Sequence, residues 1–218
     1  SCIYTGLMMS PGVLNYVKNV PEAADDVPEK LFTEATKQWQ GKYAEIKKMS
    51  GNENPYALHR EMAEEMISNV LIVRENSKLQ ATLNKIDEFE ERWKNVNCVD
   101  TTDWSNPVPS FINQLRNMIQ LSKIITKGAL MRDEFRGSHY KPEFDLNQPD
   151  DFHPDTYLVF EKQKAAGKVN EEDFAPEHLA YMKRFAENNK KWLKSTIATF
   201  KNGGPEITYE DVDESLIA

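Results

Sequence analysis

Ser110-Phe-Ile-Asn-Gln-Leu-Arg-Asn-Met-Ile-Gln-Leu-Ser-Lys-Ile-Ile-Thr-Lys-Gly-Ala129 is the stretch that decides the fold. Apolar side chains return in steps of three and four: Phe111, Leu115, Met118, Leu121 or Ser122, Ile125 and Ala129. That is the spacing of an amphipathic helix, with Ser110 as its predicted N-cap. Upstream, Phe32, Ala35, Trp39, Tyr43 and Ile46 give a second such stripe over about 29–50, stopped by Ser50-Gly51-Asn52. A third opens at Asn54-Pro55, a cap followed by proline in the first helical position. It carries Leu58, Met62, Met66, Val70 and Val73, and the pattern runs on through Leu79, Leu83, Ile86, Phe89 or Glu90, Trp93 and Val96. Within 54–96 the only candidate break is Glu75-Asn76-Ser77, which leaves one kinked helix or two. The turn-rich segment Asp100–Pro109 leads into the helix quoted first. Three long helices with short connections are the sequence form of an up-down-up bundle.

Downstream of Gly137 the pattern changes. Residues 141–156 are rich in Pro and Asp and read as a surface loop. Residues 157–167 and 176–190 read as short polar helices, the second opening at Pro176-Glu177 and turning Lys183, Arg184, Glu187 and Lys190 to solvent. Trp192–Phe200 alternates apolar with polar and is rich in β-branched residues, the mark of a strand. Lys201-Asn-Gly-Gly-Pro205 is a turn, and Glu206–Glu210 is the return strand of a hairpin that needs support from neighbouring structure. At the other end, Cys2–Met9 and Val13–Val17 read as two short helices, the second capped by Ser10 ahead of Pro11, and 21–28 as a linker. The expected fold is mainly α: a three-helix bundle followed by a small α+β piece.

Composition narrows the function classes. The 218 residues carry 27 basic and 35 acidic side chains, a net charge of −8. That balance argues against a nucleic-acid surface, which needs a basic face. The longest mostly apolar stretch, Met66–Val73, is too short to cross a bilayer. Nine glycines form neither G-x-G-x-x-G nor a P-loop, so no phosphate cradle is written here. Cys2 and Cys98 have neither metal-ligand spacing nor a His partner, and His59, His153 and His178 stand apart from one another. The acidic runs at Asp150-Asp151, 171–173 and 210–214 lack the regularity of a calcium loop. Ser1 falls in mid-pattern without an initiator Met, and the chain ends on Leu216-Ile217-Ala218, so the expectation is a piece cut from a longer protein.

The densest constellation is Met131-Arg-Asp-Glu-Phe-Arg-Gly-Ser-His-Tyr140. Arg132, Arg136 and His139 could together hold a carboxylate, since a guanidinium fork suits one. The plainer reading of Arg132, Glu134, Arg136 and His139 is an Arg–Glu network pinning a helix end, with Arg136 and His139 on its last carbonyls.

A resemblance becomes specific at these residues. Ser1-Cys-Ile-Tyr-Thr-Gly6, Arg74-Glu-Asn76 with Leu79, Trp104-Ser-Asn106 and Gln114-Leu-Arg-Asn-Met118 fall in the order of one family. So do Gly128–Glu134, Arg136-Gly-Ser-His-Tyr-Lys-Pro-Glu-Phe144, Trp192-Leu-Lys-Ser-Thr196 and Tyr209-Glu-Asp-Val-Asp213. The chain resembles the C-terminal part of the flavoprotein subunit of succinate dehydrogenase or fumarate reductase, of the bacterial type with a di-haem membrane anchor. Arg-x-Glu-x-Arg-Gly-x-His, from Arg132 to His139, is the most telling match.

The resemblance implies a spectrin-like three-helix bundle over 29–140. It implies that 1–28 are the last helices of an FAD domain plus a linker, and that 141–218 form a small α+β subdomain with an insertion at about 152–190. The parent it implies moves hydride between succinate or fumarate and FAD, and passes electrons to an iron–sulfur subunit and quinone. FAD belongs to the full-length parent. No catalytic, cofactor-binding or metal-binding residue is expected in this chain, and Arg132, Glu134, Arg136 and His139 are its interface or structural candidates. The implied partners are the chain's own FAD domain, the iron–sulfur subunit and, indirectly, the membrane anchor, without direct membrane insertion. The implied place is the inner face of the bacterial cytoplasmic membrane. A related L-aspartate oxidase and a free-standing helical interaction module are the alternatives.

Overall fold

The computed structural model describes residues 2–21 and 23–212. Ser1, Glu22 and the acidic and apolar ending 213–218 lie outside the described residues. The chain forms two units, one up to Lys48 and one from Met49. Its described residues are mainly helical, with one two-stranded antiparallel sheet.

The first unit holds α1 (Cys2–Asn19) and α2 (Glu29–Lys47), with a 3-10 turn at Ala24–Asp26 between them. Here the structure corrects the expectation of two short helices before residue 20. Pro11 lies inside a single helix, and the Ser10 hydroxyl donates back to the Gly6 carbonyl at 2.5 Å instead of capping a new start. The helix is exposed there, so the Leu7 carbonyl left without its usual N–H donor can meet water.

The second unit is built on α3 (Pro55–Asn69), α4 (Asn76–Trp93) and α5 (Val108–Met131), which pack on one another. The segment 54–96 is thus two helices, separated at 70–75. Asn54 caps α3 as the sequence predicts: its Oδ1 accepts from Tyr56 N at 2.9 Å and Ala57 N at 3.3 Å, with Pro55 following. Short extended pieces seal the far end of the bundle. Cys98 N donates to Met49 O at 2.8 Å and Asn97 N to Glu53 O at 2.9 Å. Gly51 is required there, because a Cβ on it would sit 1.9 Å from the Asn95 carbonyl oxygen. Arg92 braces the same end, forking onto Glu53 at 3.0 and 3.1 Å and onto Glu61 at 2.7 Å.

Helix α5 starts two residues before Ser110, and the Asn106 side chain accepts from Val108 N at 2.9 Å. Its buried seam is also turned from the expected stripe. Ile112, Leu115, Ile119, Ser122, Thr126 and Ala129 are buried, whereas Leu121 and Ile125 are 56% and 50% exposed. The seam spacing of 3-4-3-4-3 is that of helices crossing at a shallow angle, and α4 answers it with Leu79, Thr82, Ile86 and Phe89. The two hydroxyls in the seam face methionine sulfurs of α3: Ser122 Oγ lies 3.8 Å from Met62 Sδ and Thr126 Oγ1 3.7 Å from Met66 Sδ. Polar residues fit this core because each finds an acceptor, a soft sulfur for Ser122 and Thr126 and the Glu65 carboxylate, at 2.6 Å, for Thr82.

After the bundle come α6 (Pro154–Ala165) and α7 (Pro176–Trp192). Their core is aromatic: Phe160, Phe174, Leu179, Tyr181 and Met182 are buried, with Phe152, Tyr157 and Phe185 against them. Strands β1 (Lys194–Lys201) and β2 (Gly204–Asp211) form the hairpin, paired from Lys194 opposite Asp211 to Lys201 opposite Gly204. Asn202 and Gly203 both take positive φ, 53° and 82°, the backbone of a tight two-residue hairpin turn. The hairpin rests on α5: Lys127 Nζ donates to Pro205 O at 2.5 Å and the Tyr209 hydroxyl to Met131 O at 3.0 Å.

Candidate functional site

The four predicted residues come together where α5 ends. Arg132 leaves the helix in an extended conformation, and a tight turn at Gly137 (φ 57°) brings His139 back, with Arg136 and His139 exchanging backbone hydrogen bonds at 3.0 Å. The centre of the cluster is Glu134, whose side chain has no exposed surface. Its Oε1 accepts from Arg132 Nε at 2.5 Å, and its Oε2 accepts from Arg136 Nε at 3.0 Å and Asn188 Nδ2 at 3.1 Å. The carboxylate that these guanidiniums could have held is therefore the chain's own. A buried charge of this kind is tolerable only when paired and hydrogen-bonded on both oxygens, as here.

Both arginines also reach the last helix, and Arg132 reaches the hairpin as well. Arg132 donates to the Trp192 and Lys194 carbonyls, the latter at 2.9 Å, and to Thr196 Oγ1 at 3.1 Å, with its guanidinium 5.7 Å from the Trp192 ring centre. Arg136 donates to Asn189 Oδ1 at 2.7 Å. The network thus ties α5 to α7 and β1. The expected Arg136 contact with a helix-end carbonyl is replaced by these side-chain partners.

His139 faces the other way, toward the joint between α3 and α4. Its Nε2 lies 2.8 Å from Arg132 O and its Nδ1 2.5 Å from Arg74 Nη1. A carbonyl can only accept and a guanidinium can only donate, so the partners impose the neutral tautomer protonated on Nε2. Burial lowers the His139 pKa below 6.5; the Arg132 carbonyl and Glu134 oppose this, and the positive charges of Arg74 and Lys141 add to the lowering. Arg74 in turn closes the end of α3, Nε donating to Val70 O at 2.7 Å, while its backbone N donates to Tyr140 O at 2.8 Å.

Sequence reading did not place Arg74, Asn188, Asn189 and Lys141 in this cluster. Lys141 is fully buried, donating to Leu130 O at 3.0 Å and Asp133 Oδ1 at 3.1 Å. Burial lowers its pKa, against the pull of Asp133. Burial would raise the Asp133 pKa, but hydrogen bonds from Asn76 and Lys141 outweigh it and hold the carboxyl below 3.8. Glu143 completes the corner, its carboxylate accepting from Asn76 N at 3.3 Å at the start of α4, where the helix dipole favours an anion. The hints in the sequence were two of the resemblance motifs, Arg74-Glu-Asn76 and the Lys141-Pro-Glu-Phe144 end of the one that starts at Arg136.

The remaining candidates stay apart. His59 lies edge-on to Phe111 at 5.7 Å, His153 caps α6, and His178 pairs with Asp151 at 2.9 Å. Among the described residues no group of His, Cys, Asp and Glu is placed to hold a metal ion, and no helix is long and apolar enough to cross a membrane.

Residues 59–217 match the family described as fumarate reductase flavoprotein C-term. The chain is 37% identical over 219 aligned positions to the succinate dehydrogenase flavoprotein subunit of Bacillus subtilis, covering all of this chain and 30% of that protein. It is 32% identical to a Helicobacter pylori fumarate reductase flavoprotein subunit over 166 residues, 75% of this chain and 18% of that one. Among solved structures, a chain of Escherichia coli quinol fumarate reductase superposes with a TM-score of 0.60 at 19% identity, over 86% of this chain and 26% of that chain, which supports the fold. The chain spans less than a third of these relatives' lengths. By sequence and by fold, this chain belongs to the C-terminal family of fumarate reductase and succinate dehydrogenase flavoprotein subunits.

Proposed function

We propose that this chain is the helical C-terminal part of a flavoprotein subunit that interconverts succinate and fumarate. The observation that carries the reading is the 37% identity to the Bacillus subtilis subunit across the whole chain. FAD and the reacting groups then belong to the rest of the subunit, with residues 1–28 closing that flavin domain and 152–190 an insertion. Electrons leave through an iron–sulfur subunit to quinone, and the assembly sits peripherally on a membrane through an anchor that this chain does not itself touch.

Within that subunit the Arg132, Glu134, Arg136 and His139 cluster holds the bundle's end against the flavin domain. Beside it lies exposed apolar surface, Leu71, Ile72 and Val73 next to Arg74, and Phe135 packed on Tyr140 at 4.8 Å. Contiguous apolar surface beside a rigid polar network is the form of a docking face. Arg136→Ala in the full subunit is expected to lower flavin incorporation and assembly, measured by flavin absorbance and co-purification of the iron–sulfur subunit. Wild-type levels of both would remove the interface role.

A further inference from the structure

We propose that His139 is a proton-sensitive latch, coupling the α3–α4 joint to the end of α5 and the hairpin when neutral and uncoupling them when protonated. The coupling follows from three consecutive contacts. Arg74, which closes α3, donates to His139 Nδ1; His139 Nε2 donates to the Arg132 carbonyl; and the Arg132 side chain grips Trp192, Lys194 and Thr196 at the start of β1. The imidazole is the only group in this series of contacts that ordinary pH changes can convert from acceptor to donor.

Every group facing the ring decides the sign. From the α3–α4 joint comes Arg74, a cation 2.5 Å from Nδ1. From the end of α5 come Arg132 and Glu134, and from the following segment Lys141. The acidic groups are already engaged: Glu134 is held by Arg132, Arg136 and Asn188, and Asp133 by Lys141 and Asn76. A proton on Nδ1 would therefore point a second donor at the Arg74 guanidinium, with no anion free to compensate. Either Arg74 or the ring must leave. Since the folded protein binds this proton less readily than the unfolded chain, the latch contributes stability that is complete above 6.5, and it is lost as pH falls below that value toward the folded pKa.

Four histidines make the ring resolvable by nitrogen NMR. In the whole chain at about pH 7.5, His139 is expected as the Nε2–H tautomer, titrating below its value in the urea-unfolded chain. Protection factors for the β1 amides should fall together with that titration. In His139→Gln, whose amide can both accept from Arg74 and donate to Arg132 without titrating, β1 protection should be the same at about pH 7.5 and about pH 5.5. Arg74→Met, which removes the cation, should move the His139 titration upward. The Nδ1–H tautomer, titration at or above the unfolded value, or an unchanged β1 pH response in His139→Gln would each overturn the latch. The tautomer and titration need only wild-type protein, so they decide the matter even if a variant fails to fold.

Discussion

A carboxylate without exposed surface, such as Glu134, is stable only because three donors meet it, two of them guanidiniums. Deleting it strands Arg132, whose side chain is 16% exposed, beside a second cation. Glu134→Ala is expected to lower the free energy of unfolding by about 3–5 kcal/mol in urea denaturation, and Glu134→Gln by less, because it retains an acceptor. A loss below about 1 kcal/mol for Glu134→Ala would mean that the network is ornamental. How legible this site was depends on sequence distance. Arg132, Glu134, Arg136 and His139 are contiguous, so their clustering could be read directly. Arg74 reaches His139 across 65 positions and Asn188 reaches Glu134 across 54, and no local pattern announces such pairings.

Helices were readable as elements, and their faces less so. The end signals at Asn54-Pro55 and Pro176 act as the sequence predicts, because caps and proline work locally. In α5, by contrast, apolar residues occur nearly all round, from Phe111 and Ile112 to Ile124 and Ile125, so two stripes compete. The methionines of α3 decide between them by accepting Ser122 and Thr126 into the seam. The distinction is measurable. Ile119→Ala should cost about 2–5 kcal/mol, as for a buried aliphatic truncation. Leu121→Ala, on the exposed side of the second unit, should stay within about 0.5 kcal/mol in the isolated chain. Equal costs would mean that the seam is misassigned.

For the molecule as a whole, the periodicity gave a mainly helical fold with a terminal hairpin, while the spaced motifs gave the family. The guanidiniums of Arg132 and Arg136 are spent on the chain's own Glu134, and its relatives are more than three times its length. The central claim is that this chain is structural support for flavin chemistry located elsewhere in its subunit. The direct measurement is succinate-dependent dye reduction and flavin absorbance, made on the chain alone with added FAD and on the same chain joined to its flavin domain. The account predicts a colourless, inactive chain and a yellow, active subunit. Flavin bound and reduced by the chain alone, or a flavin-loaded subunit acting on neither succinate nor fumarate, would contradict it.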